Sequence, residues 1–127
     1  MQKAIDSFLE KDVYIVAGSF RNEKKYAYIV FNKLKNMGKR VYPVNPKGGE
    51  VAGEKCYKSV KEIPEKAEAA SLVTPPSATV NIVKECADKG VKVIWMQPGA
   101  ECGEAIEYCK KNGIAVIYDT CLMLQTS

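Results

Sequence analysis

At 127 residues, 46% of them apolar, the chain is long enough for one domain with a packed core and short for two, and no stretch reaches the roughly 18 apolar residues of a membrane span. It contains no histidine, which excludes Ser-His and Cys-His nucleophile pairs, imidazole metal sites and phosphohistidine chemistry. The net charge of +4, from 19 Lys and Arg against 15 acidic residues, is a mild bias toward anionic ligands without the dense basic stripe of a nucleic-acid binder. Five cysteines at 56, 86, 102, 109 and 121 form no Cys-x-x-Cys pair, so neither a zinc knuckle nor a thioredoxin-type motif is present, and reduced thiols are expected. The N-terminus has no apolar run of signal-peptide length, and the expectation is a soluble cytoplasmic chain with a single domain over residues 1–127.

Ile5, Phe8 and Leu9 stand at helical spacing and predict a short helix over residues 1–9. Val13-Tyr14-Ile15-Val16-Ala17, with charge before it and Gly18 after it, reads as a strand buried on both faces. Ala27, Ile29, Val30, Leu34 and Met37 predict a helix over 23–37 that Gly38 ends, and a second strand follows over 40–44. Residues 45–62, rich in Gly, Lys and Pro, read as a long loop anchored by Val51 and Tyr57 that leads to a short helical turn before Pro64. The alternation then repeats. A third strand covers 69–73 and a helix 78–89, with Val80, Ile82, Val83 and Cys86 inward; a fourth strand covers 91–96, a helix 101–111, and a fifth strand 114–118. Strands separated by crossover helices must run parallel, which predicts an α/β fold: a doubly wound five-stranded sheet with helices on both faces, in the order 3-2-1-4-5.

In such a sheet the ligand lies beyond the carboxyl ends of the strands, beside the first strand where the order reverses. The candidates are therefore the loop residues Gly18, Ser19, Phe20, Asn45, Pro46, Lys47, Thr74, Pro75, Pro76, Gln97, Pro98, Gly99, Asp119, Thr120 and Cys121. Gly18 permits a phosphate to approach the backbone, although a tight turn explains one glycine equally well, and the full G-x-G-x-x-G pattern is absent. The second strand discriminates better. An NAD site places Asp or Glu there to accept the ribose hydroxyls, whereas Asn45 carries no charge and Lys47 attracts a phosphate. That disfavours NAD and leaves NADP or a ribose 3′-phosphate, with Pro43 and Pro46 stiffening a wall for adenine; a solvated loop lysine is the alternative reading of Lys47. Trp95 and Met96 read as core. Cys121 lies on the ligand edge, either within reach of a ligand thiol or packed as a small residue.

Five blocks, Val16-Ala17-Gly18-Ser19, Val41-Tyr42-Pro43-Val44-Asn45-Pro46-Lys47, Gly53-x-x-Cys56-Tyr57-x-Ser59-Val60-x-x-Ile63-Pro64, Val93-Ile94-Trp95-Met96-Gln97-Pro98-Gly99 and Asp119-Thr120-Cys121, together resemble the small stand-alone CoA-binding domain proteins. These are similar to the N-terminal domain of the succinyl-CoA synthetase α subunit. The resemblance implies a Rossmann-type domain that binds coenzyme A or an acyl-CoA, with diphosphate near Gly18 and Ser19 and adenosine against Val44 to Lys47. It also implies Lys47 at the 3′-phosphate, Thr74 and Pro75 along the ribose and diphosphate, and a further phosphate contact from Lys25. Phe20 stands where the family has a small residue, and Arg21 to Lys25 are more charged than its pattern. The expected function is binding without catalysis, since the chain has no histidine and no convincing acid-base pair, with no metal, nucleic acid or membrane, and with a homodimer or an unknown partner protein as the open possibilities. The alternatives are an NADP-linked redox protein and a subunit of an acyl-CoA ligase.

Overall fold

A computed structural model describes residues 1–126. Helix α1 (Gln2–Leu9) buries Ile5 and Phe8, as their spacing predicts, and leads into strand β1 (Val13–Gly18). Helix α2 (Tyr26–Asn36) begins later than its apolar spacing suggests because Asn22 closes a turn ahead of it. The Asn22 side chain accepts the N–H of Lys24 at 2.9 Å and its carbonyl accepts that of Lys25 at 3.1 Å. Strand β2 (Arg40–Val44) follows.

The stretch expected as loop contains a small antiparallel hairpin, β3 (Glu50–Val51) and β4 (Glu54–Lys55), turned by Ala52 and Gly53 with φ of 50° and 81°. Two-residue strands leave no period-2 pattern to detect. Val51 is buried and Tyr57 bridges Val44, so both expected anchors hold, and a 3-10 turn spans Val60–Glu62. Strand β5 (Ala69–Val73), helix α3 (Pro76–Asp88), strand β6 (Val93–Met96), helix α4 (Gly103–Lys111), strand β7 (Ala115–Ile117) and helix α5 (Leu122–Thr126) complete the order. Pro76 and Ser77 thus belong to the first turn of α3 rather than to the preceding loop.

The five long strands form one parallel sheet in the order β2-β1-β5-β6-β7. Counted among themselves this is 2-1-3-4-5, which corrects the expected 3-2-1-4-5. Pro43 supplies the physical reason. Its carbonyl accepts the N–H of Tyr57 and the N–H of Asn45 donates to the carbonyl of Tyr57, both at 2.9 Å, so this side of β2 faces away from β1. The N–H that Pro43 lacks would point to that outer side, where a third strand would need it. β2 is therefore an edge, and β5 pairs with the other side of β1, aligning Ala17 with Leu72 and Gly18 with Val73.

The sheet is covered on both faces, as expected for a doubly wound fold. On one face Ile15, Leu72 and Ile94 pack with Val83 and Cys86 of α3 and Ala105 and Cys109 of α4. On the other, Tyr14, Val16 and Trp95 pack with Phe8 of α1, Val30, Phe31 and Leu34 of α2, and Leu122 of α5. Burying each large apolar side chain contributes about 1.5–3 kcal/mol before entropy is counted. Trp95 is core, as read: its ring meets Phe8 edge-on at 5.1 Å, and its Nε1–H donates to the carbonyl of Thr120 at 2.9 Å. Among the described residues no helix is long and apolar enough to cross a membrane.

Candidate functional site

β1 feeds α2 on one face of the sheet, and its neighbour β5 feeds α3 on the other, so the chain diverges at their carboxyl ends. A cleft of about 480 Å³ lies there. Its walls are Ala17, Gly18 and Ser19 after β1; Val44, Asn45 and Pro46 after β2; Lys58, Ser59 and Val60; Val73, Thr74 and Pro75 after β5; and Ala78, Asn81, Ile82 and Glu85 on α3. A second recess of about 370 Å³ shares Ser19 and Asn45 with it and adds Phe20, Arg21, Lys47, Gly48, Glu50, Val51 and Cys56.

Asn45 organises the junction of the two. Its Nδ2 donates to the carbonyl of Gly18 at 2.6 Å, while its Oδ1 accepts the N–H of Lys47 at 2.9 Å. Its backbone N–H donates to Tyr57 and its carbonyl accepts the N–H of Gly48, each at 2.9 Å. A carboxamide offers both donor and acceptor here, which an ionised aspartate cannot. Asn45 thus has a local structural reason besides the nucleotide preference read from sequence.

Gly18 is required by packing. A Cβ added there would lie 2.7 Å from Cβ of Ala27 and 2.8 Å from the carbonyl oxygen of Val73, so α2 and β5 approach too closely for any side chain. On the opposite wall, the buried Thr79 hydroxyl donates to the carbonyl of Ala100 at 2.8 Å or that of Pro75 at 3.2 Å, and lies 2.8 Å from the Thr74 hydroxyl. With the Thr79 proton given to a carbonyl, Thr74 must donate to Thr79. The Thr74 oxygen is left as an acceptor at the cleft.

The cleft and its neighbouring recess together gather Gly18, Ser19, Phe20, Val44, Asn45, Pro46, Lys47, Thr74 and Pro75 from the predicted set. Phe20 packs edge-to-face on Tyr28 and Phe31 at 6.2 and 6.1 Å, so the bulk that departs from the family pattern is turned onto α2. Lys25 caps α2, Pro76 opens α3, and Pro98 and Gly99 are exposed; none of the four lines either recess. Gln97 is fully buried, with Nε2 donating to Ser71 at 3.1 Å and Oε1 accepting the N–H of Leu122 at 3.0 Å, so its side chain ties the sheet to α5. Cys121 lies outside both recesses beside the Tyr26 hydroxyl, whose pKa burial above all pushes up to about 12. The reading from loops alone missed Lys58 to Val60, which the Tyr57 bridge brings to the edge of β2, and the α3 face of Ala78, Ile82 and Glu85, whose helical spacing was the available signal.

A doubly wound parallel sheet with an apolar crevice at its switch point, glycine-walled on one side and flanked by lysines on another, defines a nucleotide-binding domain of the Rossmann type. The chain belongs to the CoA binding domain family, which it matches over residues 12–127. It is 37% identical, over 93% of its length, to the alpha subunit of ADP-forming acetate–CoA ligase II of Pyrococcus furiosus. It is 34% identical, over 88% of its length, to the ADP-forming acetate–CoA ligase of Methanocaldococcus jannaschii. The chain spans 28% and 17% of the length of these two relatives. Among solved structures, a hypothetical protein from Pyrococcus horikoshii OT3 superposes with a TM-score of 0.91 at 32% identity, covering 98% of this chain and 87% of that one. Cell-free ID.343 from Thermus thermophilus does so with a TM-score of 0.88 at 28% identity, covering 98% and 95%. The family and the ligase relatives support coenzyme A as the cofactor.

Proposed function

We propose that residues 1–127 act as one domain that binds coenzyme A or an acyl-CoA in the cleft at the ends of β1, β2 and β5, without catalysis of its own. The observation that carries this reading is the apolar crevice of about 480 Å³ joined through Asn45 to a lysine-bearing turn. That volume falls within the roughly 300–1,000 Å³ of small-molecule sites. Val44, Pro46, Val73 and Ile82 offer apolar walls for the base, the Thr74 oxygen accepts from a ribose hydroxyl, and Gly18 and Ser19 line the wall along which the diphosphate lies. Lys47, exposed and without an ion pair among the described residues, receives the 3′-phosphate. The five free thiols suit a reducing compartment, and we place the protein in the cytoplasm.

Titration calorimetry with CoA, dephospho-CoA and NADP tests this. CoA should bind at least about tenfold more tightly than dephospho-CoA, since each charge-assisted contact to the phosphate contributes about that factor. Equal affinities would remove the role of Lys47, tighter binding of NADP would favour a redox protein, and binding of neither CoA form would overturn the proposal.

Identity to a ligase alpha subunit over a chain that spans 28% of it favours a second reading, in which this domain supplies CoA to an acyl-CoA ligase assembled with other polypeptides. The chain alone, given acetyl-CoA, ADP and phosphate, should then form no ATP. ATP formed by the chain alone would overturn binding without catalysis.

A further inference from the structure

We infer that Lys58 is a second cation for the ribose 3′-phosphate, acting with Lys47 from the opposite side of the Asn45–Gly48 turn; this rests on the CoA-binding reading above. The backbone position of Lys58 is fixed by its neighbour, and its exposed side chain reaches the turn from there. Tyr57, immediately before it, forms the parallel bridge to Val44, with 2.9 Å hydrogen bonds to Pro43 and Asn45. The stem of Lys58 then lies on Gly48: a Cβ added at Gly48 would sit 3.2 Å from both Cγ and Cε of Lys58. Gly48, at a φ of 66°, closes the turn by donating to the carbonyl of Asn45 at 2.9 Å, and Lys47 is the residue just before it.

One lysine therefore belongs to the turn and the other packs across it. Lys58 lines the larger cleft and Lys47 the adjoining recess, and Asn45 lines both. Neither ammonium group has an ion pair or side-chain hydrogen bond among the described residues, whereas Lys35 and Arg40 are paired with Glu54 and Glu65 at 2.8 Å. A phosphomonoester carrying about two negative charges matches two cations that have no other ion-pair partner among the described residues. The hydroxyl of Ser59, in the same cleft wall, also has no side-chain partner among the described residues.

Calorimetric affinities for CoA and dephospho-CoA, measured on the wild type, Lys58→Gln, Lys58→Arg and Lys47→Gln, test the assignment. Glutamine keeps most of the stem on Gly48 while removing the charge. Lys58→Gln should weaken CoA about tenfold and change dephospho-CoA by less than about twofold, and Lys58→Arg should restore most of the loss. The salt dependence of CoA binding should also be shallower in Lys58→Gln. Unchanged CoA affinity, or an equal loss for both ligands, would overturn the role of Lys58 while leaving CoA binding standing. Failure of the wild type to bind either ligand would overturn both.

Discussion

The side-chain amide of Asn45 donates to the carbonyl of Gly18 across 2.6 Å, joining the loop after β2 to the end of β1. Asn45→Ala removes this bond and the one to the Lys47 N–H, and should lower stability by about 1 kcal/mol and weaken CoA binding. Asn45→Asp should be worse at neutral pH, by about a further 1 kcal/mol, because it sets a carboxylate oxygen against the Gly18 carbonyl with no proton between two acceptors. Urea unfolding of both variants measures the difference. An Asp variant more stable than the Ala variant would contradict the assigned donor.

Gly18→Ala should destabilise by about 1–3 kcal/mol, the usual range for an overpacked site, since the new methyl meets Ala27 and the Val73 carbonyl below 3 Å. The expected reading is a lowered thermal midpoint together with lost CoA affinity, because Gly18 and Val73 both line the cleft. A variant that melts with the wild type would show that the two elements can separate freely.

Glu68 supplies an acid-sensitive link. Its carboxylate accepts the N–H groups of Asp12 at 2.9 Å and Val13 at 3.1 Å, and these bonds hold its pKa below the ordinary 4.5. The unfolded chain therefore takes up the proton first as pH falls, so the contribution is present above the unfolded pKa and lost as pH drops through the lower folded value. Urea midpoints between about pH 3 and pH 6 should decline in the wild type and decline less steeply in Glu68→Gln. Parallel curves would assign the decline to other carboxylates, such as Glu65, whose pKa is lowered by Tyr42 and Arg40.

The thiols should separate into two classes. Burial raises the pKa of Cys56 and Cys86 and pushes Cys109 up to about 11, while Cys102 and Cys121 are half-buried. Iodoacetamide at about pH 8 should modify Cys102 and Cys121 first and reach Cys86 and Cys109 only on unfolding, as peptide mapping would record. Early labelling of Cys86 would show that α3 lifts from the sheet.

The strands were legible because each is a short, mainly apolar run, most of them rich in β-branched residues, and the helices because their apolar residues recur at helical spacing. Strand order was not, since it depends on which side of β1 the third strand takes; the deciding residue, Pro43, is visible in sequence, but the direction of its missing N–H is not. The same limit divides the site. Gly18, Asn45 and Thr74 follow directly from strand ends, whereas Lys58 reaches the cleft only through the bridge between Tyr57 and Val44. Gln97 also sits at a strand end, yet its buried amide is spent on Ser71 and Leu122, and nothing in a sequence window reveals those partners.

Pro43 also bears on how copies of this chain can meet. An open sheet edge invites a neighbouring strand to continue its ladder, the route to fibres and to exchanged strands. On the outer side of β2 that ladder is interrupted, because Pro43 offers no hydrogen and the groups on either side of Val44 are already engaged by Tyr57. Continuous strand addition is therefore barred at the margin beside the cleft, and contacts made there must be formed by side chains.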